Sequence, residues 1–169
     1  ILNAYHQGED WTDNELSGIL SVLKKKYPYL VPSIENLDTK RFPDSEHLLV
    51  IKQYLKNKYQ GRHFDLIFAL DNSALSMITK YRQELFPGVP IVFAGINGYT
   101  PDLLNRQDRI AGVAEVQDMA GTLKLALTLH PKTKTVMVIH DYTSSGLAVR
   151  KEMSAAVDQF KDRISIHFN

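Results

Sequence analysis

Continuous hydrophobic runs alternate with segments of helical periodicity along the whole chain. The hydrophobic runs predict strands over 1–5, 30–37, 64–70, 89–94, 109–115, 134–140 and 163–168. Helices are predicted between them, over 12–26, 44–60, 72–86, 117–130 and 145–161. The strands at 64–70, 89–94 and 134–140 are continuous apolar runs, which are typical of parallel sheets covered by helices on both faces. The alternation therefore predicts an α/β fold with a doubly wound parallel sheet in the flavodoxin-like order 2-1-3-4-5.

The start of the first predicted helix has the pattern of a capping box. Thr12-Asp13-Asn14-Glu15 places a hydroxyl at the first position and a carboxylate three residues later. Leu16, Leu20 and Leu23 then follow on one helical face. The pattern predicts that this helix begins at Thr12.

The chain divides into a complete and an incomplete lobe. Five predicted strands fall within or around residues 1–112, which we call the first lobe. Residues 113–169, the second lobe, supply only a helix, a strand, a helix and a strand, so we expect this lobe to be truncated. Because unpaired strand edges recruit other chains, the second lobe is expected to dimerise, swap or be less ordered. Ile1 to Tyr5 already have a strand pattern, so the sequence is expected to begin inside a longer natural chain.

Composition excludes several classes of protein and chemistry. The 169 residues are 44% hydrophobic and 23% charged, which is typical of a globular protein. The net charge of +1 indicates neither a nucleic-acid partner nor a membrane surface. The chain has no cysteine, which excludes thiol catalysis, disulfides and cysteine-ligated metals. No window approaches the ~20 apolar residues of a membrane span.

Polar, glycine and aromatic residues gather after the strands rather than before them. They occupy 5–12, 38–41, 71–73, 94–99, 115–118 and 141–146, whereas the opposite edge has ordinary turns. Ligands of open parallel sheets bind outside the carboxyl ends of the strands. Two interpretations of Asp71 and Ser73 stay open, since both residue types also cap helices. Tyr5 and Trp11 are compatible with rim packing as well as with ligand contact.

No catalytic constellation is evident. His6 near Glu9 and Asp10 is the one acid–base or metal candidate, and a single exposed loop histidine is the simpler interpretation. The sequence has no G-x-S-x-G elbow, phosphate loop or G-x-G-x-x-G fingerprint. A response-regulator receiver is excluded, because the places of its acidic pair, hydroxyl and lysine hold Tyr5-His6, Ala94-Gly95 and Glu115. We therefore predict a protein that is not an enzyme, with no metal and no cofactor.

Six segments in register carry a family resemblance over nearly all of the chain. They are AYHQGEDWTDNE, LDTKRFPD, FDLIFALDNSAL, LFPGVPIVFAGIN, GVAEVQDMAGTLKLALTLHP and VIHDYTSSG. Together they resemble the ABC-transporter substrate-binding-like family, which has a type I periplasmic binding protein fold. The greatest resemblance is to members that form extracytoplasmic sensor regions of histidine kinases or diguanylate cyclases. The resemblance implies two α/β lobes with a small molecule between them, a periplasmic location, and membrane tethering through segments outside this sequence.

The resemblance also implies which loops contact the ligand. The first lobe would use the loops at 5–12, 71–73 and 95–97, and the second would use Glu115 and 142–145. The expected ligand-binding residues are Tyr5, His6, Trp11, Asp71, Asn72, Ser73, Gly95, Asn97, Glu115, Tyr142, Thr143, Ser144 and Ser145. A solute-binding component of an ABC importer is the alternative function. An α/β enzyme acting on a small acid is the third.

The residue types at this rim suggest the chemistry of the ligand. Acids favour a cationic group such as an amine, with Asp71 as the first choice. A hydroxyl-rich helix start at Thr143–Ser145 favours a carboxylate, and the aromatic residues favour a flat or apolar body. The sequence therefore predicts a zwitterion such as an amino acid or a related small metabolite.

Overall fold

The computed structural model describes residues 1–104 and 106–169 and contains two parallel sheets. Five strands form the larger sheet in the order β2-β1-β3-β4-β5, and every neighbouring pair is parallel. The strands are β1 (Leu2–Asn3), β2 (Glu35–Asn36), β3 (Ile67–Leu70), β4 (Ile91–Ile96) and β5 (Ile110–Ala114). The predicted α/β architecture and flavodoxin-like strand order are confirmed.

The smaller sheet pairs β6 (Thr135–Val138) with β7 (Ser165–Phe168). The helices are α1 (Asp10–Lys26), α2 (Ser45–Lys58), α3 (Asp71–Leu85), α4 (Met119–Leu129) and α5 (Ser144–Val157). Two 3₁₀ turns lie at Pro101–Leu104 and Asp158–Phe160. Among the described residues, no helix combines the length and the apolar character needed to cross a membrane.

The principal core lies between the larger sheet and the pair α2 and α3. Ile78 and Leu75 of α3 pack with Ile91 and Phe93 of β4, and all four are at most 3% exposed. Burying one such side chain contributes about 1.5–3 kcal/mol. This core fixes the position of α3, and therefore of its first residue, Asp71, at the carboxyl edge of the sheet.

Helix α1 lies over the other face of the sheet. Leu2 and Ala4 belong to the principal core, so Asn3 between them points to the opposite face. There Asn3 shares the wall of a cavity of about 610 Å³ with Leu16 and Leu20 of α1. Only Thr12 of α1 is fully buried, so this helix is held mainly at its first turns.

Three details of the predicted elements are wrong. Helix α1 begins at Asp10, and Asp13 accepts a hydrogen bond from the Gly8 N–H, so Thr12–Glu15 is not a capping box. Asp71 is not a cap either, since α3 begins at Asp71 itself and no side chain caps it. The second strand is only two residues long, because only Glu35 and Asn36 pair with β1.

Candidate functional site

Two carboxyl groups converge over one glycine at the carboxyl edge of the sheet. Gly95, near the end of β4, has a positive φ of 69°. Glu15 Oε1 lies 2.6 Å and Asp71 Oδ1 lies 3.3 Å from the position that a Cβ at Gly95 would take. Only a residue without a side chain allows this approach, so Gly95 makes room for the two acids.

Both acids are held in unfavourable surroundings for a negative charge. Burial raises the pKa of Asp71 to about 8, and the nearby Glu15 carboxylate adds to this shift. Burial likewise raises the pKa of Glu15 to about 7, with a further contribution from Glu115. The indole of Trp11 lies beside both carboxyls and opposes both shifts. Asp71 is 3% exposed and has a positive φ of 68°, which is uncommon for a residue other than glycine.

Aromatic rings and one lysine border the acid pair. Tyr5, two residues after the end of β1, is buried, and burial raises the pKa of its phenol to about 12. The Lys40 ammonium lies 4.4 Å from the centroid of the Tyr5 ring and forms an ion pair with Glu9. Trp11 is 46% exposed, so it forms an open side of the site. The Tyr5 face therefore already accommodates an ammonium group.

An amide network joins the ends of β3, β4 and β5. The Asn72 side chain accepts from the Asn97 N–H at 2.9 Å and donates to the Asn97 carbonyl at 2.8 Å. The Asn97 side chain donates to Glu115 at 3.1 Å and accepts from Gln117 at 3.0 Å. Gln117 also donates to Glu115. These contacts give Asn72 a structural role in addition to its predicted place at the site.

Hydroxyl groups connect the two lobes directly. The Tyr5 hydroxyl donates to Ser145 Oγ at 2.9 Å, and Ser145 Oγ donates to Asn72 Oδ1 at 3.3 Å. Ser73 and Ser144 hydroxyls are 2.8 Å apart. The predicted residues of both lobes thus meet each other at the start of α5.

Three predicted residues lie outside this cluster of contacts. His6 Nδ1 is 3.5 Å from Asp38 Oδ1, in the loop after β2. Thr143 caps α5 by accepting from the Gly146 N–H at 3.1 Å. Tyr142 is 68% exposed. Tyr142 lines a cavity of about 500 Å³ beside the cluster, together with Thr143, Ser144, Ser73 and residues of α2 and α3.

Sequence reasoning missed Glu15, Gln117 and Glu152. Glu15 follows Trp11 by four residues, so the two lie on one helical face, and this spacing was a usable signal. Gln117 stands two residues after the predicted Glu115. Glu152 accepts from the Gly98 N–H at 2.7 Å, a contact between distant segments that has no local signature in the sequence.

The described residues contain no group of three or more histidine or acidic side chains arranged to hold a metal ion. The acid pair instead suits an organic ligand with a positive charge, because desolvated carboxylates attract cations.

No protein-family model matches the sequence, and no curated protein matches it. A solved structure that is similar is full-length LpoA from Haemophilus influenzae, with 15% identity and a TM-score of 0.42. The similarity covers 99% of this chain and 28% of LpoA, so the chain spans less than a third of that protein. The fold assignment therefore rests on the strand order of the sheet itself.

Proposed function

We propose that the chain is a non-catalytic, small-molecule-binding sensor domain, and that its ligand carries a cationic group bound by Glu15 and Asp71. The observation that carries this proposal is the convergence of the two carboxyls over Gly95. Burying an uncompensated charge is costly, and a second charge nearby increases the cost. A ligand cation between the two carboxylates would offset this cost.

The remaining groups at the edge suggest the rest of the ligand. Trp11, which is 46% exposed, offers aromatic surface, which suits a flat or apolar body. Ser144 and Ser145 lie in the first turn of α5, where hydroxyls and the positive end of the helix dipole favour a carboxylate. A zwitterion such as an amino acid or a related small metabolite combines these three features.

The resemblance to the ABC-transporter substrate-binding-like family supports the wider setting of this proposal. It suggests a type I periplasmic binding protein architecture and a periplasmic sensor region of a membrane-anchored protein. The full-length gene product distinguishes the two roles. A transmembrane helix followed by kinase or cyclase domains would support the sensor, whereas a lipobox and an end directly after the second lobe would support an importer component.

A matched set of three compounds tests the binding proposal. L-phenylalanine carries an amine and a carboxylate, phenethylamine only the amine, and 3-phenylpropionate only the carboxylate. We expect thermal stabilisation to be largest for L-phenylalanine and clearly larger for phenethylamine than for 3-phenylpropionate. Stabilisation by 3-phenylpropionate alone, or by none of the three, would overturn the assignment of a cationic ligand. Conversion of the bound compound, detected by mass spectrometry, would overturn the non-catalytic role.

A further inference from the structure

The acid pair has more negative charge than the protein itself can neutralise. Asp71 is 3% exposed, and Glu15 Oε2 is buried without a hydrogen-bond partner among the residues that the structure describes. The two side chains come from different helices, α1 and α3, and their oxygens lie within 3.3 Å of one point above Gly95. Two full negative charges in this position would repel each other strongly.

The surrounding elements relieve this repulsion only in part: the Trp11 indole and Lys40 favour the charged form of Asp71, but burial and Glu115 oppose it. From the end of β5, Glu115 adds a third carboxylate that acts on both acids. From the loop after β2, Lys40 acts favourably on Asp71, but its ammonium also forms an ion pair with Glu9, the residue before α1. From the end of β1, Tyr5 contributes a neutral phenol whose pKa is raised by burial.

A proton is the simplest way for the pair to reduce its charge. Carboxyl groups that share a site and are shielded from water retain a proton at a higher pH than exposed ones. The raised pKa values of Asp71 and Glu15, about 8 and about 7, agree with this expectation from the geometry. Near pH 7, the pair then holds at least one proton while the site contains no cation.

We propose that Glu15 and Asp71 act as a coupled carboxyl pair that retains a proton, and that this proton is released when a cationic ligand binds. The proposal rests on the proposed function, because it concerns the same site. One carboxyl O–H bond breaks, the proton passes to water or buffer, and the ligand ammonium takes its place beside the carboxylates. No bond of the ligand changes. Affinity for a cation is consequently coupled to pH.

The first test is a pH titration of the carboxyl groups in the ligand-free protein, followed by carbon-detected NMR. The Glu15→Gln and Asp71→Asn variants assign the two carboxyl resonances. We expect one or both of the two resonances to titrate near pH 7–8. Titration of both Glu15 and Asp71 below pH 5 would overturn the retained proton, whatever the ligand proves to be.

The second test measures proton release on binding of phenethylamine. Calorimetric titrations in buffers of different ionisation enthalpy are expected to show about one proton released at pH 6.5, with affinity rising about tenfold per pH unit between pH 6 and 7. Glu15→Gln is expected to reduce this slope. Binding without proton release would overturn the coupling and leave the proposed function standing. Absence of phenethylamine binding at every pH would overturn both.

Discussion

The Tyr5 hydroxyl donates a 2.9 Å hydrogen bond to Ser145 Oγ, joining the end of β1 to the first turn of α5 across 140 positions of sequence. Tyr5 is 4% exposed, so this bond forms largely out of water. Ser73 and Ser144 form a second bond between α3 and α5 nearby. These contacts hold the start of the second lobe against the carboxyl edge of the sheet in the first.

Tyr5→Phe is expected to loosen the start of α5 without disturbing the large sheet. The substitution keeps the ring and removes one buried hydrogen bond, which typically costs about 0.5–1.5 kcal/mol. Amide hydrogen exchange should therefore become faster at 144–147 and stay unchanged in β3 and β4. Tyr142→Phe is the matched control, because Tyr142 is 68% exposed. Equal protection of α5 in both variants would show that the Tyr5 hydroxyl does not hold the lobes together.

Gly95→Ala is expected to destabilise the protein more than Gly61→Ala. Both glycines have a positive φ, 69° at Gly95 and 72° at Gly61, so both variants carry the same backbone strain. A Cβ at Gly61 meets nothing within 4 Å, whereas a Cβ at Gly95 would lie 2.6 Å from Glu15 Oε1. Because the crowding atom is the end of the flexible Glu15 side chain, we expect a cost near the low end for overpacking, about 1 kcal/mol. Urea unfolding of the two variants measures the difference, and equal losses would contradict the close approach of Glu15.

Asp71→Asn is expected to flatten the pH dependence of stability. In the folded protein the pKa of Asp71 is about 8 instead of 3.8, so between these values the folded state binds more protons than the unfolded state. Stability contributed by this group is therefore present at low pH and is lost as pH rises towards 8. Asparagine does not ionise, so the variant does not lose this stability as the pH rises. Asparagine also tolerates the positive φ at this position.

At pH 8 the Asp71→Asn protein should exceed the wild type by at least about 1 kcal/mol, or about 2–4 °C in thermal midpoint. The difference should shrink at pH 5. Asp65→Asn serves as control, because the Asp65 side chain is fully exposed. An advantage that is equal at pH 5 and pH 8 would contradict the raised pKa.

The second lobe is expected to self-associate. In the described part of the chain, β6 and β7 pair only with each other, and Met137 and Ile139 are 60% and 81% exposed. Free edges and exposed apolar side chains favour pairing with another copy. Sedimentation velocity should show a dimer at micromolar concentration that Ile139→Lys weakens. A strict monomer with uniformly low mobility would contradict this prediction.

Hydrophobic patterning was sufficient to predict the strand order, because continuous apolar runs alternating with helices allow few topologies. The same reasoning placed Asp71 and Gly95 at one edge, since both follow strands of a parallel sheet. The sequence pattern wrongly assigned Glu15 to a capping box. An acid in the first turns of a helix has the same local pattern whether it caps the helix or belongs to a binding site. Only the docking of α1 on the sheet brings Glu15 to Gly95.

The most direct test of the role of Asp71 is a calorimetric titration of phenethylamine into wild-type and Asp71→Asn protein at pH 8, with Asp65→Asn as control. A charge-assisted hydrogen bond contributes about 1.5–3 kcal/mol, so we expect an affinity roughly ten- to a hundredfold weaker in Asp71→Asn and unchanged in Asp65→Asn. Unchanged affinity in a folded Asp71→Asn protein would contradict the assignment of Asp71 as a residue that binds the ligand cation.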